Sequence, residues 1–302
     1  MVDRRDVLKG GLVAGAMAGP ALAAPVPGDR TYVLVHGAWH NALHWQPVAA
    51  RLSALGHRSV AVDLPAHGLN ARFPDAYITG NGARLAAEVS PVKDVTLEDA
   101  AQAVVTTLRA QGDRRCVLVG HSVGGAVITR AAELVPERID RLVYLAAFAP
   151  IGLGSPMAYG ALPQARTGYG ETLFIGNPGA IGAVRINPRG DAAYLRQLRD
   201  AYYNDVAYEN FLPYAAMLTP DLPLSFWTTA VTVSPDRWGR IARTYIRCLN
   251  DRALAPAIQD RMIADADRVT PHNMFKVETM TTGHSPFASS PAALATILAN
   301  LP

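Results

Sequence analysis

Short apolar runs alternate with stretches of helical spacing along most of this chain. Residues 32–35 are apolar and end at His36-Gly37, which predicts a buried strand. Residues 45–55 repeat apolar positions at helical intervals and stop at Gly56. Residues 59–62 predict a second strand, closed by Asp63-Leu64-Pro65. A more polar segment with Gly and Pro follows to about Asp94. Thr96 has the character of a helix N-cap, with the acid Asp99 three residues on, and its helix is expected to reach about Gln111. A strand over 116–119, a helix ending near Leu134 and a strand over 142–146 come next. This alternation predicts a parallel sheet covered by helices on both faces.

The pattern breaks at Pro150. From there to about Arg240 the chain is rich in Gly, Pro and Tyr, with one helical patch near 192–203. A cap inserted above the sheet, at about 150–240, is the expectation. Alternation then returns with a strand over 244–249, a helix over 256–264, a strand over 274–278 and a helix over 291–301. There is no internal repeat. With 302 residues, half of them apolar, the chain can build one full α/β core without a second domain.

The first 24 residues stand apart from this pattern. A short basic region, Asp3-Arg4-Arg5-Asp6-Val7-Leu8-Lys9, precedes an apolar, Gly/Ala-rich stretch that ends in Ala21-Leu22-Ala23. The stretch is too short to span a bilayer as a stable helix, and it closes on a small-x-small cleavage pattern. It resembles a twin-arginine export signal, although Val7 stands where such signals usually carry Phe. The expectation is an export signal at 1–24, one α/β domain with the inserted cap at 25–302, and a periplasmic or secreted protein. The formal net charge is +3, of which +1 lies in those first 24 residues. No run of five or more like charges occurs, so neither nucleic acid nor an anionic membrane surface is an expected partner.

Cys116 and Cys248 fall on predicted strands with one strand between them. Strands two places apart are about 9.6 Å from each other. A disulfide needs Cα atoms within about 7 Å. Two free, buried thiols are therefore expected.

The strongest chemical signal is Gly120-His121-Ser122-Val123-Gly124, with Gly125 behind it. It sits between an apolar strand and a helix. The sharp turn this demands forces Ser122 into a strained backbone and exposes its hydroxyl at the carboxyl end of the sheet. A serine hydroxyl is a weak nucleophile without a base. His284, in Gly283-His284-Ser285-Pro286-Phe287 after the last strand, is the candidate. His272 precedes that strand and belongs at the wrong end of the sheet. His40, His44, His57 and His67 precede the elbow and are expected to be surface or structural. Asp251 closes the strand before that of His284 and is the candidate third member, giving the chain order Ser, Asp, His. Asp221 and Asp236, in the cap, are weaker candidates. An oxyanion hole needs two backbone N–H groups. Val123, after the nucleophile, supplies one; Ala38, in His36-Gly37-Ala38-Trp39-His40, is the candidate for the other, with Gly37 giving the tight turn. Tyr202, Tyr203, Phe211, Phe226 and Trp227 could equally line a pocket or fill the core.

Together the 33–40 segment, the elbow, the strand ending at Asp251 and Gly283-His284 resemble the α/β-hydrolase superfamily. Within it they resemble the plant methylesterase and hydroxynitrile lyase group and its bacterial esterase relatives. The resemblance implies a mostly parallel α/β-hydrolase sheet that lacks the two leading strands of the full fold, a cap over an apolar pocket, and no cofactor or metal. It implies a small-molecule ester as substrate, cleaved through an acyl-enzyme on Ser122. The lyases of this group carry a lysine after the catalytic histidine and a threonine in the first-strand loop. Ser285 and Gly37 stand in those places, which favours ester hydrolysis. A lyase, a cofactor-free haloperoxidase and a non-catalytic small-molecule receptor are the alternatives. The particular ester and the oligomeric state stay open.

Overall fold

The computed structural model describes residues 29–302 apart from Gly168 and Gly170. The expected export signal at 1–24 lies outside the described residues. In chain order the strands are β1 (Thr31–Val35), β2 (Arg58–Val62), β3 (Cys116–His121), β4 (Ile139–Leu145), β5 (Ala183–Arg185), β6 (Asp221–Pro223), β7 (Ala242–Cys248) and β8 (Lys276–Met280). Six of them form one all-parallel sheet in the order β2-β1-β3-β4-β7-β8. β1 and β3 are buried at every position, as continuous apolar runs must be when both faces are covered. The edges β2 and β8 leave Arg58, Val60, Lys276, Val277 and Thr279 exposed.

Helices cover the sheet in packed pairs, as the sequence predicts. Gln46–Ala54 packs on Pro291–Ala299, and Leu97–Arg109 packs on Gly124–Leu134. The Tyr32 hydroxyl in β1 donates to the Leu298 carbonyl at 2.8 Å, tying the sheet centre to the last helix. The Thr96 hydroxyl accepts from the Asp99 N–H, and the Asp99 carboxylate accepts from the Thr96 N–H in return. β4 separates β3 from β7, so Cys116 and Cys248 are two strands apart, and both are free and buried.

Several boundaries differ from expectation: β4 begins at Ile139 rather than at Leu142, β3 runs on to His121, and two further shifts have a visible cause. The helix expected over 256–264 continues as Pro256–Val269, because Asp265 and Ala266 carry its buried stripe past residue 264. The last strand begins at Lys276 rather than at Met274. The Phe275 N–H goes to the Asp267 carboxylate at 2.8 Å instead of to the sheet, and Met274 is exposed.

The segment between β4 and β7 holds two longer helices where the sequence shows one patch. Ala192–Tyr202 matches that patch; Tyr208–Ala216 was not expected. Pro213 lies inside the second helix, and a proline there argues against helix from sequence alone. Burial of Phe211 and Ala215 outweighs that cost. β5 and β6 pair antiparallel in the same segment. Among the described residues no helix is long and apolar enough to cross a membrane.

Candidate active site

β3 ends at His121, and the helix Gly124–Leu134 starts three residues later. Ser122 sits in that gap at φ +52°, the left-handed region that a non-glycine residue enters only when its surroundings impose it. Its carbonyl accepts from the N–H groups of Gly125 at 3.0 Å and Phe148 at 2.9 Å, which hold the turn. A Cβ on Gly124 would lie 2.4 Å from the His36 carbonyl oxygen, so the helix start fits against the β1 loop only as glycine. The hydroxyl therefore stands at the carboxyl end of the sheet, beside a helix N-terminus that favours negative charge.

His284 lies on the loop after β8, buried at 2 % exposure. Its Nδ1–H donates to Asp251 Oδ2 at 2.7 Å. The proton is assigned to Nδ1 because a carboxylate can only accept, which leaves the Nε2 lone pair for a hydroxyl. Asp251 is itself fully engaged. Its Oδ1 accepts from the Ala253 and Leu254 N–H groups at 2.8 Å each, and its Oδ2 also accepts from Gln259 Nε2 at 3.2 Å. Gln259 is completely buried and donates as well to the Leu254 carbonyl at 2.8 Å. Sequence reasoning missed it, since nothing in the chain marks a helix glutamine eight residues after an aspartate. The His284 carbonyl accepts from His121 Nε2 at 2.9 Å, so the elbow histidine anchors the histidine loop.

One cavity joins these parts. Ser122, His284, Ala38 and Val123 line it, with Trp39 from the loop after β1, Phe148 from that after β4, and Phe174, Leu222 and Trp227 from the segment between β4 and β7. Among the described residues no charged side chain lines it. The backbone N–H groups of Ala38 and Val123 have no turn or loop acceptor among the described residues. Gly37 is needed for a reason other than the expected tight turn. A Cβ there would lie 2.7 Å from Ser122 Cβ, and the left-handed residue of the loop is Trp39, at φ +62°.

The other candidates lie elsewhere. Asp221 is buried against Arg185, and Asp236 is exposed. His40, His44, His57 and His67 are all buried, and His272 is exposed. Of the five aromatics between β4 and β7 singled out from the sequence, Tyr202 and Trp227 line the cavity, whereas Tyr203, Phe211 and Phe226 are fully buried in the core. Burial lowers the His121 pKa well below the ordinary imidazole range, and the neighbouring His284 adds to the effect. No group of three His, Cys, Asp or Glu side chains among the described residues is placed to hold a metal ion.

Residues 32–297 match the model of a family described as the alpha/beta hydrolase family. Methylesterase 7 of Arabidopsis thaliana is 28% identical over 280 residues, spanning 89% of this chain and 95% of that protein. A carbendazim hydrolyzing esterase of Nocardioides sp. (strain SG-4G) is 39% identical over 145 residues, 48% of this chain and 52% of its own. The crystal structure of a pyrethroid hydrolase from Sphingobium faniae JZ-2 superposes with a TM-score of 0.70 at 24% identity, covering 90% of this chain and 96% of that one. At that identity the structural likeness speaks for the fold.

Proposed function

The chain belongs to the alpha/beta hydrolase family, and from that premise we propose that it hydrolyses a neutral carboxylic ester through an acyl-enzyme on Ser122. The observation that carries this reading is the shared cavity. A serine held at φ +52° faces it together with a histidine whose Nδ1 is 2.7 Å from a carboxylate. His284 Nε2 takes the Ser122 proton as the hydroxyl attacks the ester carbonyl. Asp251 holds the imidazole in the required tautomer and stabilises the imidazolium. The N–H groups of Val123 and Ala38 bind the oxyanion. The alcohol leaves with the proton from His284, and water repeats the sequence on the acyl-enzyme.

The apolar, uncharged lining supports a substrate without charge near the scissile bond. The relatives named as a methylesterase and as a carbendazim hydrolyzing esterase support an ester. Cyanohydrin cleavage gains no support. A threonine at position 37 would collide with Ser122, and no lysine faces the cavity among the described residues.

Hydrolysis of p-nitrophenyl acetate and butyrate by the wild type and by Ser122→Ala tests the proposal. Turnover in the wild type and its loss in the variant are expected. A wild type without turnover, whose Ser122 also resists a fluorophosphonate, would end the ester reading.

A further inference from the structure

The loop that carries Ala38 is bonded to the segment above the sheet at several points. The Trp39 indole N–H donates to the Val184 carbonyl at 2.8 Å. The Trp39 carbonyl accepts from the Thr219 N–H at 2.9 Å and from its hydroxyl at 3.2 Å. Asn41 Nδ2 donates to the Met217 carbonyl at 2.7 Å. These bonds surround a tryptophan at φ +62°, a conformation that a bulky residue does not hold unaided.

His40 closes the turn from inside. Its Nδ1 lies 2.6 Å from the Ala38 carbonyl oxygen, and its Nε2 lies 2.7 Å from the Tyr203 hydroxyl. A carbonyl only accepts, so Nδ1 carries the proton, and Nε2 must then accept from the Tyr203 O–H. Both residues are buried, and their rings stack with centroids 5.8 Å apart. Burial, reinforced by the neighbouring His44 and His121, keeps the His40 pKa well below the ordinary range, so the ring stays neutral. Tyr203 ends the helix Ala192–Tyr202, whose last residue lines the cavity edge-on to His284 at 5.9 Å.

We propose that His40 is a positioning residue for the oxyanion hole. Fixed at Nε2 by the Tyr203 hydroxyl, its Nδ1–H holds the Ala38 carbonyl and so the left-handed turn that presents the Ala38 N–H to the cavity. His40 touches no substrate, and its kinetic consequence rests on the ester hydrolysis proposed above. Loss of the anchor frees Ala38 and both peptides that flank it to shift, and a misplacement of the Ala38 N–H by about 1 Å at a reacting centre costs on the order of 100-fold.

The test combines kinetics on p-nitrophenyl butyrate with imidazole nitrogen NMR. His40→Leu should lower kcat about 10- to 100-fold with KM within about threefold, because the lost interaction matters in the transition state. His40→Asn, whose amide N–H can stand where Nδ1 stands, should recover most of that loss. Tyr203→Phe should lower kcat in the wild type and change nothing further in the His40→Leu background. Wild-type His40 should show Nδ1 protonated and Nε2 bare from pH 5 to 8. A folded His40→Leu with kcat within twofold of wild type, an equal loss in His40→Asn, or a His40 proton on Nε2 would each overturn the proposal. The NMR arm needs no substrate. A wild type inactive on esters would therefore undo the functional reading while the tautomer still decides the His40 link.

Discussion

Asp251 accepts four hydrogen bonds on two oxygens, and each donor has a distinct role. The Ala253 and Leu254 N–H groups fix the carboxylate to its own turn, Gln259 holds its far side, and His284 uses what remains. In Asp251→Asn the retained oxygen can still serve the turn, but an NH2 group then faces His284 Nδ1 and selects the wrong tautomer. Turnover should fall by about 10³–10⁴, while stability changes by about 1 kcal/mol. Paired measurements of kcat and thermal midpoint check this. An unchanged kcat would remove Asp251 from the mechanism. Ser122, Asp251 and His284 were legible at this scale because strand ends mark them in order along the chain. Gln259 and the His40–Tyr203 pair were not, because each partner comes from a separate element and no local pattern links them.

At the scale of elements, the β5–β6 pair shows how a buried charge is tolerated. Arg185 Nε lies 2.6 Å from Asp221 Oδ1, and the two side chains are 0% and 1% exposed. Ser90 donates its hydroxyl to the same carboxylate at 2.6 Å, and an Arg185 Nη1–H reaches the Glu88 carbonyl at 2.8 Å. The pair thus clamps the 85–90 loop to the strands whose Val184 and Leu222 wall the cavity. Arg185→Met would leave Asp221 buried without its counter-charge, a loss of about 3–5 kcal/mol. Adding Asp221→Leu should restore most of that stability. Denaturant unfolding of the wild type, the single and the double variant decides the point, and equal stability of all three would show that an unpaired Asp221 carries no penalty. The sequence offered Asp221 as an acid in search of a role; only the pairing of two short strands, 36 residues apart at this bond, shows that Arg185 already occupies it.

Across the whole molecule, the histidines are mostly interior. Burial lowers His36, His40 and His121 well below the ordinary range and brings His44 and His67 to about 4. The folded state therefore binds fewer protons than the unfolded chain between pH 4 and 6.5, so stability is full above about pH 6.5 and falls as the pH drops through that window. His44 and His67 alone should each remove on the order of 2 kcal/mol at pH 5, at about 1.4 kcal/mol per unit below the free value. Unfolding free energies at pH 7 and pH 5 test this, and equal values would contradict burial as the cause. By itself the sequence determined the parallel sheet, the elbow serine and the histidine and acid candidates. Apolar runs, glycine turns and chain order are local facts, and covering both faces of a parallel sheet leaves few ways to arrange them. Tertiary structure alone decided the helix around Pro213, the engagement of Asp221 by Arg185 and the link from Tyr203 through His40 to Ala38. Each depends on burial and on hydrogen bonds between residues far apart in the chain, where packing outweighs any local preference.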